Sequence, residues 1–364
     1  MDLLTLLKKS IGMEVKANET MHSTNTNAGE DWIPSEVFSK EVFDLVPQRS
    51  RLLPLLPGFH GTMLPKTYTA PVKGLQAGDL LFEGKTEWTT GTQSETENDH
   101  LQRRAFTQNV TLTQTGFICE IDVSDDLLRY SPVEAERHIK EELAKGMAYT
   151  VDMLIINGDN ETGATGNVNS DDQAPATTFA ALGGARYAPL RIDHGIRERA
   201  INGSYTVNAG TLDATDYLGL ISLLGEYAED PSQCLFIQQM AVRAKTLAIS
   251  EFAEYQKYGN ADAVAKGIMP TPYGVDILTH RGVPKTEADG KMSATGSNNT
   301  KGQILALYKP AVQYGFGKDL TLEVVRNPGY GYRIIATFDF SFVIVDSDAS
   351  LTNPTVAAAI NITV

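Results

Sequence analysis

The sequence predicts an α+β fold, and three stretches carry that prediction. Residues 132–157 read as one long amphipathic helix, residues 211–308 alternate short helices with short strands, and residues 331–346 form a long strand with one wholly apolar face. With 364 residues, of which 42% are hydrophobic, the chain can bury a sizeable core and is long enough for two packed bodies.

Charge narrows the function. The formal net charge is -14, whereas gripping nucleic acid needs clustered Lys and Arg. Beside nucleic acid, such a chain is expected to surround it rather than hold it. Cys119 and Cys234 lie in strand-like apolar runs and are expected as buried free thiols, with no disulfide framework. The opening MDLLTLLKKSIGM is not a signal peptide, because its charge follows too few apolar residues. No apolar run is long enough to cross a bilayer, so a soluble protein with no membrane partner is expected.

Taken in order, Leu3, Leu4, Leu7 and Ile11 fit one face of a short helix behind an Asp2 cap. Residues 14–31 are polar and read as a tether, or as an arm ordered by a partner. Val37, Val42 and Leu45 mark a further short helix after Trp32. The run LLPLLP, with Leu52, Leu53, Leu55 and Leu56, cannot be a regular helix, since each Pro lacks an N–H and restrains its neighbour. It reads as an extended apolar strip that something must cover.

Residues 58–115 hold two strand-like runs around a polar, Gly-punctuated centre that contains Leu80, Leu81, Phe82 and Trp88. This pattern predicts a long two-stranded flap, and a lone ribbon is marginal in water, so it must lean on something outside itself. On the returning strand the apolar phase changes from even positions (Phe106, Val110, Leu112) to odd ones (Phe117, Cys119, Ile121, Val123). A bulge or twist near 115–117 is expected there.

The long helix starts at Ser131, Pro132 and Glu134, which supply a cap, a first-turn Pro and a capping-box acid. Ile139, Leu143, Met147, Val151, Leu154 and Ile155 form its apolar stripe, and Asn157-Gly158 its stop. Residues 160–208 read as loops with a short element near Ala200. Tyr217, Leu220, Ile221 and Leu224 mark a helix, residues 234–237 a buried strand, and Ala244, Ala248, Phe252 and Tyr255 another helix. YGVDILTH and QILALY follow as strands. Leu320, Leu322 and Val324 then alternate, Asn327-Pro328-Gly329 turns the chain, and Ile334, Ala336, Phe338, Phe340, Phe342 and Ile344 line one face of the closing strand. The long helix is what that face is expected to pack against.

Chemistry is sparse. His22, His60, His100, His138, His194 and His280 have no His or Cys at ligand spacing, and no metal site or cofactor is expected. GFGKDL at Gly315 lacks phosphate-loop spacing and precedes a strand. GDNETG at Gly158 lacks the calcium-loop pattern, Asp171 and Asp172 have no partner carboxylate, and G-x-S-x-G is absent. No catalytic residue is assigned, and the chain is expected not to be an enzyme.

These parts, in this order, resemble the tailed-bacteriophage major capsid protein family, with its Hong Kong ninety-seven-type fold. VSDDLLRYSPVEAERHIKEELAKGMAYTVDMLIINGD is similar to that family's strand, spine helix and Gly-Asp ending. FEGKTEW resembles elements of its extended loop, and LEVVRNPGYGYRIIATFDFSFVIVD its closing strands. The resemblance covers about residues 32–346 and rests on the order of the parts. It implies an N-terminal arm (1–57), an extended loop (58–115), a peripheral domain (116–210 and 309–364, spine helix about 132–157) and an axial α/β domain (211–308).

It further implies self-assembly through hexamers and pentamers into an icosahedral shell around double-stranded DNA, inside the virion, after assembly in the host bacterial cytoplasm. Trp32, Leu52, Leu53, Leu55, Leu56, Leu81, Phe82 and Trp88 are then the expected contacts between subunits. Only about thirty residues precede Trp32, so a separate scaffold protein is expected, with a portal protein and a decoration protein as further partners. Some relatives cross-link a flap Lys to a neighbouring Asn. Lys73, Lys85 and Asn327 are the candidates here, against the plainer reading of solvated lysines and a turn residue. The rival readings are an encapsulin-type compartment, a soluble α/β enzyme with a loop-borne site, and a tail or adhesion module.

Overall fold

A computed structural model of the chain describes residues 49–62, 64–71, 109–123, 135–160, 166–169, 190, 193–250, 271–293, 295–317, 321–327, 331–345 and 353–364. A 3-10 turn at Leu53–Leu55 opens the described chain, followed by β1 (Gly58–Phe59), β2 (Thr67–Pro71), β3 (Asn109–Thr113) and β4 (Thr115–Val123). Helix α1 (Ala135–Asn157) comes next, then α2 (Ile196–Asn202), β5 (Thr206–Asn208), α3 (Ala214–Leu224), β6 (Cys234–Gln238), α4 (Met240–Ala248) and β7 (Asp276–Thr279). The remaining strands are β8 (Lys301–Tyr308), β9 (Val312–Phe316), β10 (Thr321–Asn327), β11 (Gly331–Ile344) and β12 (Val356–Thr363).

Strand β11 is the axis of the first sheet. β4 runs antiparallel along one edge, from Val123 opposite Tyr332 to Thr115 opposite Phe340. Along the other edge β10 pairs first and β9 takes over at Phe340, with β1 added parallel to β9. The even face of β11, Ile334 through Ile344, is buried together with Leu143, Met147, Val151, Leu154 and Ile155 of α1. The expected helix-on-sheet core is therefore present. The expected helix-start residues, Ser131, Pro132 and Glu134, lie outside the described residues.

The phase change is also present. Val110 and Leu112 are buried on β3, the register breaks at Gln114, and Phe117 is buried on β4. Its neighbour Ile118, which continues the earlier even phase, ends up 68% exposed. β2 and β3 pair only with each other among the described strands, and the Gln114 N–H closes their base by donating to the Lys66 carbonyl.

The second sheet has the order β5-β12-β8-β6-β7. Leu235, Ile237, Leu305, Leu307, Val356 and Ala358 face the core shared with α1. Their alternates Cys234, Phe236, Ile304, Ala306, Ala357 and Ala359 face Tyr217, Leu220 and Leu224 of α3. Burial on both faces explains why these strands read as unbroken apolar runs.

Three expectations need correcting. Residues 309–364 do not all stay with the first sheet: β12 lies between β5 and β8 in the second. Its Val-Ala-Ala-Ala-Ile run is small and apolar on both sides, which suits a central strand of the second sheet. On α4 the buried positions are Val242 and Thr246, with Ala244 and Ala248 outside, because Thr246 hydrogen-bonds Tyr217 and Gln238 beneath the helix. The LLPLLP run is a 3-10 turn (Leu53–Leu55) with Pro54 as its second residue, within the first turn where a missing N–H costs no helical bond, rather than an extended strip.

Candidate functional site

The leucine strap answers to its own subunit. Leu52, Leu53 and Leu56 are buried in the α1 core, and the Tyr314 hydroxyl donates to the Leu53 carbonyl. This corrects the expectation that they meet a neighbour; of the four leucines only Leu55, 40% exposed, faces outward. Trp32, Lys73, Leu81, Phe82, Lys85 and Trp88 lie outside the described residues. Asn327 ends β10 opposite Gly331.

One buried carboxylate fastens the strap. Asp152 of α1 accepts from the Ser50 hydroxyl at 2.6 Å, from the Arg51 N–H at 3.2 Å and from His280 Nε2 at 3.2 Å. The Gly282 N–H donates to His280 Nδ1, which leaves Nε2 as the donor toward Asp152 in a neutral ring. Ser50 Oγ in turn accepts from the Leu53 N–H at 2.9 Å. Serine, aspartate and histidine thus meet, but in the wrong order for a hydrolytic triad. There the imidazole stands between hydroxyl and carboxylate and takes the hydroxyl proton. Here the carboxylate stands in the middle, so the cluster holds three segments together and activates no nucleophile.

A second polar joint lies where α1 ends. Arg197 of α2 is fully buried and donates to Asn157 Oδ1 at 2.7 Å, Asn169 Oδ1 at 3.2 Å, and the Val168 and Gly290 carbonyls, each at 3.2 Å. Burial pushes its pKa down to about 10 against the opposing pull of Asp159, so it stays charged at neutral pH. Asp159 itself accepts from the Val168 N–H at 2.7 Å. At the rim His194 Nδ1 lies 3.0 Å from Glu198 Oε2, and Asn202 also donates to Glu198. The Glu198 carboxylate raises the His194 pKa against the opposing effect of burial. Burial works against the Glu198 charge, yet His194 and Asn202 hold its pKa below the ordinary value.

The outer face of the first sheet is a different kind of surface. Ile118 stands opposite Thr337, Glu120 opposite Ile335, and Asp122 opposite Arg333, while β10 sets Glu323 beside Ile335 and Val325 beside Arg333. Ile118, Ile335 and Val325 therefore run diagonally across three strands, within reach of one another. Ile118 is 68% and Val325 45% exposed. Arg333 grips Asp122 with two hydrogen bonds, at 2.8 and 3.2 Å, and lies 3.6 Å from Glu120. Its hydrogen bond holds the Asp122 carboxyl below the usual range.

Sequence reasoning missed both joints. Asp152 did leave a signal: it is an acid inside an apolar arc, four residues from Ala148 and from Ile156. Arg197 left none, since its acceptors come from residues 157–290.

The chain is similar to solved phage structures at low sequence identity. It matches a chain of Microbacterium phage Oxtober96 at a TM-score of 0.50 and 14% identity, covering 85% of this chain and 90% of that one. A chain of the cyanophage P-SCSP1u capsid gives 0.49 and 14% identity over 97% and 93% of the two chains. A chain of the satellite phage P4 procapsid, solved with size determination (Sid) protein, gives 0.49 and 11% over 100% and 98%. No curated protein matches the sequence. The layout of strap, long helix and two sheets is the Hong Kong ninety-seven-type capsid fold expected from the order of the parts. The model of the phage capsid family matches residues 29–214, half of the sequence; the chain belongs to that family and is a shell-forming capsid protein.

Proposed function

We propose that the chain is the sole repeating tile of an icosahedral shell, arranged as hexamers and pentamers around double-stranded DNA, and that it catalyses nothing. The observation that carries this reading is the diagonal of exposed Ile118, half-buried Ile335 and exposed Val325 on a sheet whose other face packs on α1 along β11. Contacts repeated around symmetry axes close a shell even when each is modest. The acidic surface lets packaged DNA slide past the wall.

In this reading residues 1–57 form the arm and 58–115 the extended loop. The peripheral body is 116–210 with 309–345, and the axial body is 211–308 joined by β12. Trp32, Leu55, Leu81, Phe82 and Trp88 remain the proposed neighbour contacts of arm and loop. A scaffold, a portal and a decoration protein are the proposed partners, the host cytoplasm the place of assembly. Negative-stain microscopy of the purified full chain tests the reading. Closed shells of uniform size are expected; a monodisperse monomer at every concentration overturns it. Shells carrying enzymes instead of nucleic acid after expression in an infected host would favour the encapsulin-type alternative.

A further inference from the structure

We propose that Asp152 is a latch that sets the direction in which the N-terminal arm leaves the subunit, and that it can release without unfolding the body. Residues 1–48 join the described chain at Arg49, one residue before the clasp. The buried Asp152 carboxylate is shared by the arm root (Ser50 Oγ and the Arg51 N–H), by its own helix α1, and by His280, which follows β7 of the second sheet. Arg51 adds a longer contact, 3.4 Å from its guanidinium to the Thr279 carbonyl. Three segments more than one hundred residues apart in sequence are thus registered on two oxygen atoms.

The far end of the strap is held separately. Leu56 is buried, and Gly58 and Phe59 pair with Gln313 and Tyr314 of β9. Between these two anchors lies a single 3-10 turn whose Leu53 N–H depends on Ser50 Oγ. If Asp152 lets go, Ser50 Oγ, the Arg51 N–H and His280 Nε2 lose their common acceptor together. Leu52, Leu53 and Leu56 stay packed in the α1 core and the Tyr314 hydroxyl still holds the Leu53 carbonyl, because none of these contacts needs this carboxylate. Opening is therefore local, confined to the arm root. Asp152 acts as a positioning residue for whatever the arm touches.

Hydrogen exchange on the full chain, read by mass spectrometry, tests the latch. Ser50→Ala removes two hydrogen bonds, to Asp152 and from the Leu53 N–H, and is expected to speed exchange across residues 51–56 at least about tenfold, while residues 331–344 exchange at the unmutated rate. Asp152→Ala goes further in the same direction. Asp152→Asn is expected to restore most of the protection: its amide oxygen can serve Arg51 and His280 while its NH2 donates to Ser50 Oγ. Unchanged exchange at 51–56 in Ser50→Ala overturns the latch. So does exchange that rises equally in β11, since the clasp would then be ordinary core. Should Asp152→Ala not fold, Ser50→Ala decides alone.

The arm-direction half rests on the shell reading and has its own readout. Shells from Ser50→Ala are expected to spread over several diameters, and shells as uniform as the unmutated ones overturn that half. If the unmutated chain forms no shells, the shell reading falls while the exchange result stands.

Discussion

Gly158 and Gly195 cross so closely that neither has room for a side chain: a Cβ on Gly195 would lie 2.5 Å from the Gly158 amide nitrogen, and one on Gly158 2.5 Å from the Asp193 carbonyl oxygen. Gly158 ends α1 with a helical bond from its N–H to Leu154 at 2.8 Å, and the Gly195 N–H then donates to the Gly158 carbonyl. Gly158 is thus required by the crossing of two backbones and not by a left-handed turn. Gly195→Ala is expected to destabilise the subunit by about 1–3 kcal/mol, because the opposing atoms are backbone and cannot step aside. Urea unfolding of the dissociated chain measures it, and an unchanged midpoint contradicts the crossing.

Arg197 holds that crossing from beneath. Arg197→Met would leave Asn157 Oδ1, Asn169 Oδ1 and two carbonyls without their donor, and Asp159 without its nearby cation. A loss of about 3–5 kcal/mol is expected, enough to lower the soluble yield sharply. Arg197→Lys keeps the charge but not the planar fork, so it should fall between the two. Thermal melts of the three proteins give the order.

The His194–Glu198 pair makes a modest pH signature. The raised His194 pKa contributes stability that is complete below its ordinary value of 6.5 and fades as pH climbs through the folded value. The lowered Glu198 pKa contributes stability that is present above its ordinary 4.5 and fades as pH falls through the folded value. The pair is therefore strongest in mildly acidic solution. His194 is partly open to solvent, so His194→Gln should cost only about 0.5 kcal/mol at pH 6 and nothing at pH 9. Equal losses at both pH values would assign the effect to packing.

Ile118 separates folding from assembly. Ile118→Asp replaces a side chain that is 68% exposed and should leave the circular dichroism and the melting midpoint of the subunit close to the parent. Shell yield should fall at least tenfold if the diagonal meets a neighbour. Normal shells from this variant would assign that face to solvent.

Particles boiled in detergent are expected to run as single chains, the plainer reading of Lys73, Lys85 and Asn327. A ladder of higher bands would reverse it and leave Asn327 as the candidate acceptor, to be checked by mass spectrometry of the linked peptides.

How much of this was legible in the sequence depended on periodicity. The stripe of Leu143, Met147, Val151, Leu154 and Ile155, and the alternation along β11, each repeat often enough to fix both the element and its buried face. β12 was missed because Val-Ala-Ala-Ala-Ile does not alternate, and burial on both faces leaves no period to read. The strap was recognised as needing cover, but an apolar strip looks the same whether its own subunit or a neighbour covers it. Leu52, Leu53 and Leu56 turned out to belong to the first case. The Asp152 and Arg197 joints are built from partners scattered over the chain, and no local window contains them.

The pairing of β4 with β11 bears on how the protein is made. Residues 115–123 find their partners roughly 210–225 residues further along. At about 5–20 residues per second, a ribosome delivers β11 some 10–45 s after β4. Throughout that interval the nascent chain carries an unpaired strand, with Phe117 and Ile121 lacking the hydrophobic surface they will later share. An unfinished polypeptide can therefore neither complete its central sheet nor present the outer diagonal in register until residues 331–344 have left the ribosome.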